Sequence, residues 1–224
     1  MAGRIFKSNL GKVLGTLLVI GIAGSTVGYG TFASFTAQTS NANNTFSTGT
    51  LTLSNLVTGG TTCLSTGGGN TNTNINTGCS TLISVAGNPG LAPGGSVATG
   101  EVTIGNTGSL PIATLKLWAD TCGYGDNSSV SQHGTGDPCP KVNISVRNDS
   151  TSTCVTTSCS TSAPSSAVTL ATFPTTTVSA LTAATSLASG NVQTYTFALR
   201  LDSSADNTLQ GRIATTTFHW QATQ

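Results

Sequence analysis

Charged residues are scarce in this chain of 224 residues, where they make up 7%, against roughly 25% in an ordinary soluble domain. Three of the eight basic residues, Arg4, Lys7 and Lys12, precede every acidic residue. The rest of the chain therefore has five basic residues against seven acidic ones. A nucleic-acid-binding protein needs a basic surface that neutralises phosphates, so we expect no nucleic-acid partner.

Uncharged polar residues must form the surface instead. Hydroxyl and amide side chains suit exposed faces of β-strands and turns. They also leave little electrostatic repulsion between copies of the chain. The composition therefore favours a β-rich protein whose identical copies can associate side by side.

Long apolar runs are absent except at residues 13–24, which follow the three basic residues. A basic stretch, a short apolar run and small residues are typical of a signal peptide. We predict a signal peptide at residues 1–34, cut by signal peptidase near residues 33–35, and an extracellular or cell-surface location. The alternative is a retained anchor, because the stretch to Tyr29 just reaches across a bilayer of about 30 Å. Membrane contact is otherwise expected only for the uncleaved precursor.

Six cysteines follow this segment: Cys63, Cys79, Cys122, Cys139, Cys154 and Cys159. An even number in an exported chain indicates disulfides. Six cysteines allow fifteen pairings, and the simplest joins sequence neighbours: Cys63–Cys79, Cys122–Cys139 and Cys154–Cys159. Zinc binding is the alternative, but the chain has no Cys-x-x-Cys pair, so we expect no metal site there.

Short segments with alternating or continuous apolar residues are typical of strands. They lie at residues 46–53, 82–86, 97–104, 112–118, 142–146, 192–201 and 213–221. The Gly- and Asn-containing cluster at residues 105–108 has the length of a hairpin turn. Only residues 177–189, rich in Ala and Leu, form a candidate helix. The pattern predicts an all-β fold, a jelly-roll-like antiparallel β-sandwich over residues 48–224, preceded by the signal-peptide helix.

Three groups of motifs, in this order along the chain, carry a resemblance. They are GTFASF at 30–35 with NTFSTGTLTL at 44–53, then LAPGG at 91–95 with IGNTGSL at 104–110, and finally LQG at 209–211 with FHWQATQ at 218–224. They are similar to the signal end and first strand, the Pro-Gly turn and hairpin, and the Gln-Gly turn and closing strand of the TasA/camelysin family of secreted biofilm-matrix fibre proteins. The cysteine-containing loops have no counterpart in that pattern.

The resemblance implies a jelly-roll subunit that assembles by donor-strand exchange with other copies of itself in a filament. The donor segment would be residues 35–47, which signal cleavage frees. Phe35, Ala37 and Thr39 are candidate subunit-interface residues, with Phe46 beside the domain's own first strand. Residues 35–42 have no Pro, Gly or charge that would prevent strand pairing. The alternative is that the segment is only a disordered terminus.

Two other functions stay open on the sequence. A monomeric adhesin or carbohydrate-binding module would use the long loops, with Trp118, Tyr124 and Trp220 as a candidate sugar platform. Camelysin-type proteins have also been described as metallopeptidases. The chain, however, has only two histidines, His133 and His219, and no His-Glu-x-x-His motif of the kind that holds catalytic zinc.

Acidic residues flank the segment between Cys122 and Cys139. Asp120, Asp126 and Asp137 have the hard oxygen ligands that Ca²⁺ prefers, but scattered loop acids are the simpler interpretation, and we adopt it. The sequence also lacks the Gly-x-Ser-x-Gly elbow of serine hydrolases. We therefore expect no enzymatic activity and no cofactor.

Overall fold

The computed structural model describes residues 11–18, 47–68, 75–85 and 90–224. The chain divides into two compact units, Met1–Ser47 and Thr48–Gln224. In the first unit, residues 11–18 form a short helix whose Leu17 and Leu18 are exposed. Among the described residues, no helix is both long enough and apolar enough to span a bilayer. The remainder of the predicted signal peptide lies outside the described residues.

The described part of the second unit is all-β. Its strands are β1 (Leu53–Val57), β2 (Cys63–Leu64), β3 (Ala98–Asn106), β4 (Thr114–Ala119), β5 (Gly123–Asp126), β6 (Val142–Asn148), β7 (Thr153–Cys154), β8 (Leu181–Ala184), β9 (Val192–Leu201), β10 (Arg212–Thr215) and β11 (Phe218–Thr223). Three short 3-10 turns, at Ser65–Gly68, Cys139–Lys141 and Asn207–Leu209, lie between them.

The strand pairs within the described residues are all antiparallel, and they form three sheets. The largest has the order β2-β1-β3-β9-β6-β7, the second has the order β11-β4-β8, and β10 pairs with β5. The first two sheets share one hydrophobic core. They are therefore two layers of a β-sandwich, as expected for sheets that each bury one apolar face.

Period-two alternation decides which side chains enter the core. In β4, Leu115, Leu117 and Ala119 are buried while the residues between them are partly exposed. The six-stranded sheet contributes the largest buried side chains, Tyr195 and Phe197 of β9, which are both 0% exposed. Burying side chains of this size stabilises the fold by roughly 1.5–3 kcal/mol each.

Several predicted strands are confirmed and others need correction. The segment predicted at residues 192–201 is β9, and those at 97–104, 112–118 and 142–146 correspond to β3, β4 and β6. The strand predicted at residues 213–221 is two strands, β10 and β11. The described residues 82–85 contain no strand, and of the described residues 47–53 only Leu53 belongs to one.

The candidate helix at residues 177–189 is wrong. This segment instead contains β8, which pairs with β4, and Leu187, which forms a bridge with Ile112. Strand β4 offers β8 two apolar partners, Leu115 and Leu117. The β-branched side chain of Thr182 also suits a strand. Tertiary pairing therefore outweighs the helical preference of Ala and Leu.

The predicted hairpin at residues 105–108 is also wrong, because β3 and β4 belong to different sheets. The chain crosses between the layers here, and the side chain of Asn106, 1% exposed, holds the crossover. Its Nδ2 donates to the carbonyl oxygens of Leu110 at 2.9 Å and Leu187 at 3.0 Å, and its Oδ1 accepts from the Gly108 N–H at 3.1 Å. These three side-chain hydrogen bonds stabilise the crossover, where a hairpin would instead have backbone hydrogen bonds between two adjacent strands.

Candidate functional site: an open cleft beside strand β11

Strand β11 forms one edge of the three-stranded sheet. Its six residues pair with β4 in a regular register from Phe218↔Ala119 to Thr223↔Thr114. On its other side, no strand within the described residues pairs with it. A strand with one unpaired side presents N–H and C=O groups that an additional strand can bind.

The inner face of β11 is apolar. Phe218, Trp220 and Ala222 are half-buried and pack against the core. Trp220 lies with its ring centroid 4.7 Å from that of Tyr195, and Phe218 lies 4.8 Å from Phe197. The two aromatic rings are thus fixed by β9 of the opposite sheet, and their remaining surface is available at the rim of the sandwich.

A cleft of about 1710 Å³ opens between this strand and the opposite sheet. Val102 and Ile104 of β3 and Leu53 and Val57 of β1 line it on the side of the six-stranded sheet. Residues 218–222 of β11, which include the polar His219 and Gln221, line the other side. A third wall comes from the segment 75–85, which lies outside any strand and carries Ile75, Leu82, Ile83 and Val85.

The edge strands of the six-stranded sheet are shorter than β11. They are β2 at one edge and β7 at the other, and each has only two residues. Cys63 of β2 is bonded to Cys79, and Cys154 of β7 is bonded to Cys159. Short edge strands that run into closed loops offer little length for further pairing. Strand β8, the other edge of the small sheet, has four residues and a register shift against β4.

The three disulfides join the sequence neighbours that proximity predicts. Their Cα–Cα distances are 5.5 Å for Cys63–Cys79, 6.0 Å for Cys122–Cys139 and 5.0 Å for Cys154–Cys159. Cys122 follows β4 and Cys139 precedes β6, so this bond links the ends of strands in different sheets. Three disulfides fit an oxidising environment such as the cell exterior. The other predicted site residues, Phe35, Ala37, Thr39 and Phe46, lie outside the described residues.

The structure does not gather the two histidines and the three loop acids at one site. His133 Nε2 lies 2.8 Å from the backbone oxygen of Asn127, whereas His219 Nε2 lies 2.9 Å from Asp120 Oδ1. Asp126 pairs with Arg212, and Asp137 Oδ1 accepts from the Cys139 N–H at 2.8 Å. Each carboxylate has its own partner, and within the described residues no three His, Cys, Asp or Glu side chains form a group suited to a metal ion.

The three aromatic residues considered as a sugar platform do not share one surface. Trp220 faces the core, while Trp118 of β4, which pairs with His219, projects from the opposite face and stacks on that histidine with 5.3 Å between ring centroids. The guanidinium carbon of Arg212 lies over the ring of Tyr124 in β5, 5.3 Å from the centroid of that ring. The structure therefore does not bring Trp118, Tyr124 and Trp220 together.

Two acidic residues with lowered pKa values lie in the turn after β9. Hydrogen bonds from the backbone N–H and the hydroxyl of Ser204, with a further one from Asn143, lower the pKa of Asp202 to about 2. Hydrogen bonds from Thr208 lower the pKa of Asp206, which lines the cleft. Both carboxylates are ionised at neutral pH and are occupied in shaping the turn.

Part of this site is predictable from the sequence. The period-two pattern of residues 213–221 predicts that Phe218 and Trp220 share one face, but it does not predict the open edge beside them, because that edge depends on which strands pair. Comparison of the chain with protein-family models finds no match, and comparison with curated proteins also finds none. The resemblance to the TasA/camelysin family therefore stays a prediction.

Proposed function

We propose that this chain is a secreted structural subunit that forms extracellular filaments by donor-strand exchange, as the resemblance to the TasA/camelysin family implies. Residues 35–47 of one copy would add a strand to β11 of the next copy. The observation that carries the proposal is the six-residue edge of β11, whose outer side pairs with no strand among the described residues, beside a cleft of about 1710 Å³ that is lined in part by apolar side chains. In this account the sandwich is of the jelly-roll type, the signal peptide is cleaved, and the protein is not an enzyme.

The donor segment has the length and chemistry that the cleft requires. An extended segment of 13 residues reaches about 43 Å at roughly 3.3 Å per residue, whereas the six residues of β11 need about 20 Å. The segment can therefore pair along the whole edge and still connect to its own domain. Its main chain would satisfy the free groups of β11, a form of recognition known as β-augmentation.

Side chains would supply the rest of the binding energy. Phe35, Ala37 and Thr39 lie at alternate positions, so a paired strand directs them to one face. If this face enters the cleft, Phe35 would contact the exposed part of the aromatic rings of β11. Burying one Phe side chain stabilises such a contact by roughly 1.5–3 kcal/mol.

Assembly of this kind produces filaments because it does not close on itself. The donor and the acceptor are different surfaces, and a head-to-tail contact between different surfaces continues from copy to copy. The low charge of the chain, 7% of residues, keeps repulsion between successive subunits small.

Deletion of residues 35–46 tests the proposal. The chain beginning at Phe35, the proposed mature form, should form filaments visible by negative-stain electron microscopy. The deleted chain should remain monomeric, with an unchanged circular dichroism spectrum, because the core and all described strands lie within Thr48–Gln224. Filaments formed by the deleted chain would show that the segment is not the donor.

Charge substitutions on β11 test the acceptor. Ala222→Lys places a charge on the face that lines the cleft and should abolish assembly, since inward charges block an edge. Thr223→Lys adds the same charge one residue later, on the outer face of β11, opposite the uncharged Thr114 and outside the residues that line the cleft, and should assemble normally. If the two variants assemble equally well, β11 is not the acceptor.

A further inference from the structure

One wall of the cleft is built differently from the others. The segment 75–85 contains no strand, yet its Leu82 and Ile83 pack against the core. Within the described residues, no backbone hydrogen bond joins this segment to a strand. The wall is therefore held in place by side chains and by the bond between Cys63 and Cys79.

The contacts of this wall are few and specific. The side-chain Nδ2 of Asn76 donates to the Leu64 carbonyl oxygen at 2.8 Å. Ile83 lies over Gly100 of β3, where a Cβ atom would come within 2.5 Å of the Leu82 carbonyl oxygen. The disulfide links the segment to β2, which itself pairs with β1 only at Ser54 and Asn55.

The position of the Cys63–Cys79 disulfide differs from that of the other edge disulfide. Both Cys63 and Cys79 line the cleft, whereas neither Cys154 nor Cys159 does. Cutting a disulfide that closes a 16-residue separation returns conformational freedom to the enclosed loop.

We propose that the Cys63–Cys79 disulfide positions the third wall of the cleft, and that strand capture depends on it. The inference rests on the proposed function, because it concerns how the cleft holds a peptide strand. Without the bond, each binding event must order the wall as well as the incoming strand, and ordering a mobile segment lowers affinity.

The contribution of the Cys63–Cys79 disulfide to strand binding can be measured with a synthetic peptide of residues 35–46. The parent chain in this experiment is the chain that lacks those residues. Binding of the fluorescently labelled peptide should weaken by about 10- to 100-fold in the Cys63→Ser/Cys79→Ser variant, where each factor of ten corresponds to about 1.4 kcal/mol. The matched control, Cys154→Ser/Cys159→Ser, also loses an edge disulfide but should bind the peptide as the parent chain does.

The two proposals fail in different ways. If the parent chain does not bind the peptide, both the proposed function and this inference are wrong. If the parent chain binds and the Cys63→Ser/Cys79→Ser variant binds equally well, the cleft accepts a strand and only the positioning role is wrong.

A second measurement avoids variants that fail to fold. The parent chain is treated with dithiothreitol, which donates two electrons and two protons, becomes a cyclic disulfide and leaves two thiols on the protein. Coupling between two equilibria is reciprocal, so bound peptide should shift the reduction equilibrium of Cys63–Cys79 about tenfold or more toward the disulfide, as measured by alkylation and mass spectrometry after equilibration in mixtures of reduced and oxidised dithiothreitol. The reduction equilibrium of Cys154–Cys159 should not change. An equal reduction equilibrium of Cys63–Cys79 with and without bound peptide would overturn the inference.

Discussion

Asn106 holds the crossover between the two sheets, and its replacement tests how much the crossover contributes to stability. Asn106→Ala removes two bonds donated to carbonyl oxygens and one bond accepted from an N–H. Two of the three groups keep a backbone partner, because the Leu187 carbonyl oxygen also accepts from the Ile112 N–H at 2.9 Å and the Gly108 N–H also donates to the Thr52 carbonyl oxygen at 3.3 Å. The carbonyl of Leu110, which is half-buried, is left without its partner. At about 0.5–1.5 kcal/mol for each lost hydrogen bond, we expect the free energy of unfolding to fall by about 2–4 kcal/mol.

The assay is urea unfolding at neutral pH, followed by the fluorescence of Trp118 and Trp220. A loss of this size is a large part of the roughly 5–15 kcal/mol of a typical domain. Asn207→Ala, on an exposed turn, is the matched control and should change stability by less than about 0.5 kcal/mol.

Asn106→Asp separates the loss of donors from the loss of volume. The carboxylate keeps the acceptor for the Gly108 N–H but directs a charged oxygen at two carbonyl groups, so at neutral pH this variant should be at least as unstable as the Ala variant. Below about pH 4 the protonated carboxyl regains one donor and part of the stability should return. A loss under about 1 kcal/mol in the Ala variant, below the cost of a single unpaired group, would refute the role assigned to Asn106.

Three further predictions concern the same core. Burial raises the pKa of Tyr195 well above its ordinary value of 10.0. Above about pH 10 the phenol therefore ionises in the unfolded chain but not in the folded one, and the free energy of unfolding should fall as pH rises. In urea unfolding, Tyr195→Phe should lose this part of the alkaline dependence. Gly108→Ala should lower the thermal midpoint, at a cost of about 1–3 kcal/mol, because the added Cβ would lie 2.7 Å from the Thr52 nitrogen; an unchanged midpoint would contradict the tight crossover. Cys122→Ser/Cys139→Ser should lower the free energy of unfolding by about 3 kcal/mol, and a urea midpoint equal to that of the parent would contradict a stabilising bond between the sheets.

The sequence predicts local features of this fold well because their causes are local. The period-two pattern of residues 192–201 gives β9 with its bounds, since alternation alone specifies a half-buried strand. The disulfide pairing also follows from neighbouring positions, because the loops between the cysteines are short.

Features that depend on distant partners escape sequence reasoning. Residues 105–108 have the composition of a hairpin turn, but Asn106 finds its partner in Leu187, 81 positions away. Residues 213–221 alternate as one strand, yet the chain changes partner from β5 to β4 at Thr216 and Thr217. The open edge of β11 is likewise a result of sheet order, which no local pattern records.

A high-resolution structure of the assembled protein is the decisive test of donor-strand exchange. We predict that residues 35–47 of one copy lie in the cleft of the next, with their backbone hydrogen-bonded to β11 over Phe218–Thr223. It would be contradicted by an assembly in which the free side of β11 faces solvent or is paired with a strand of its own chain.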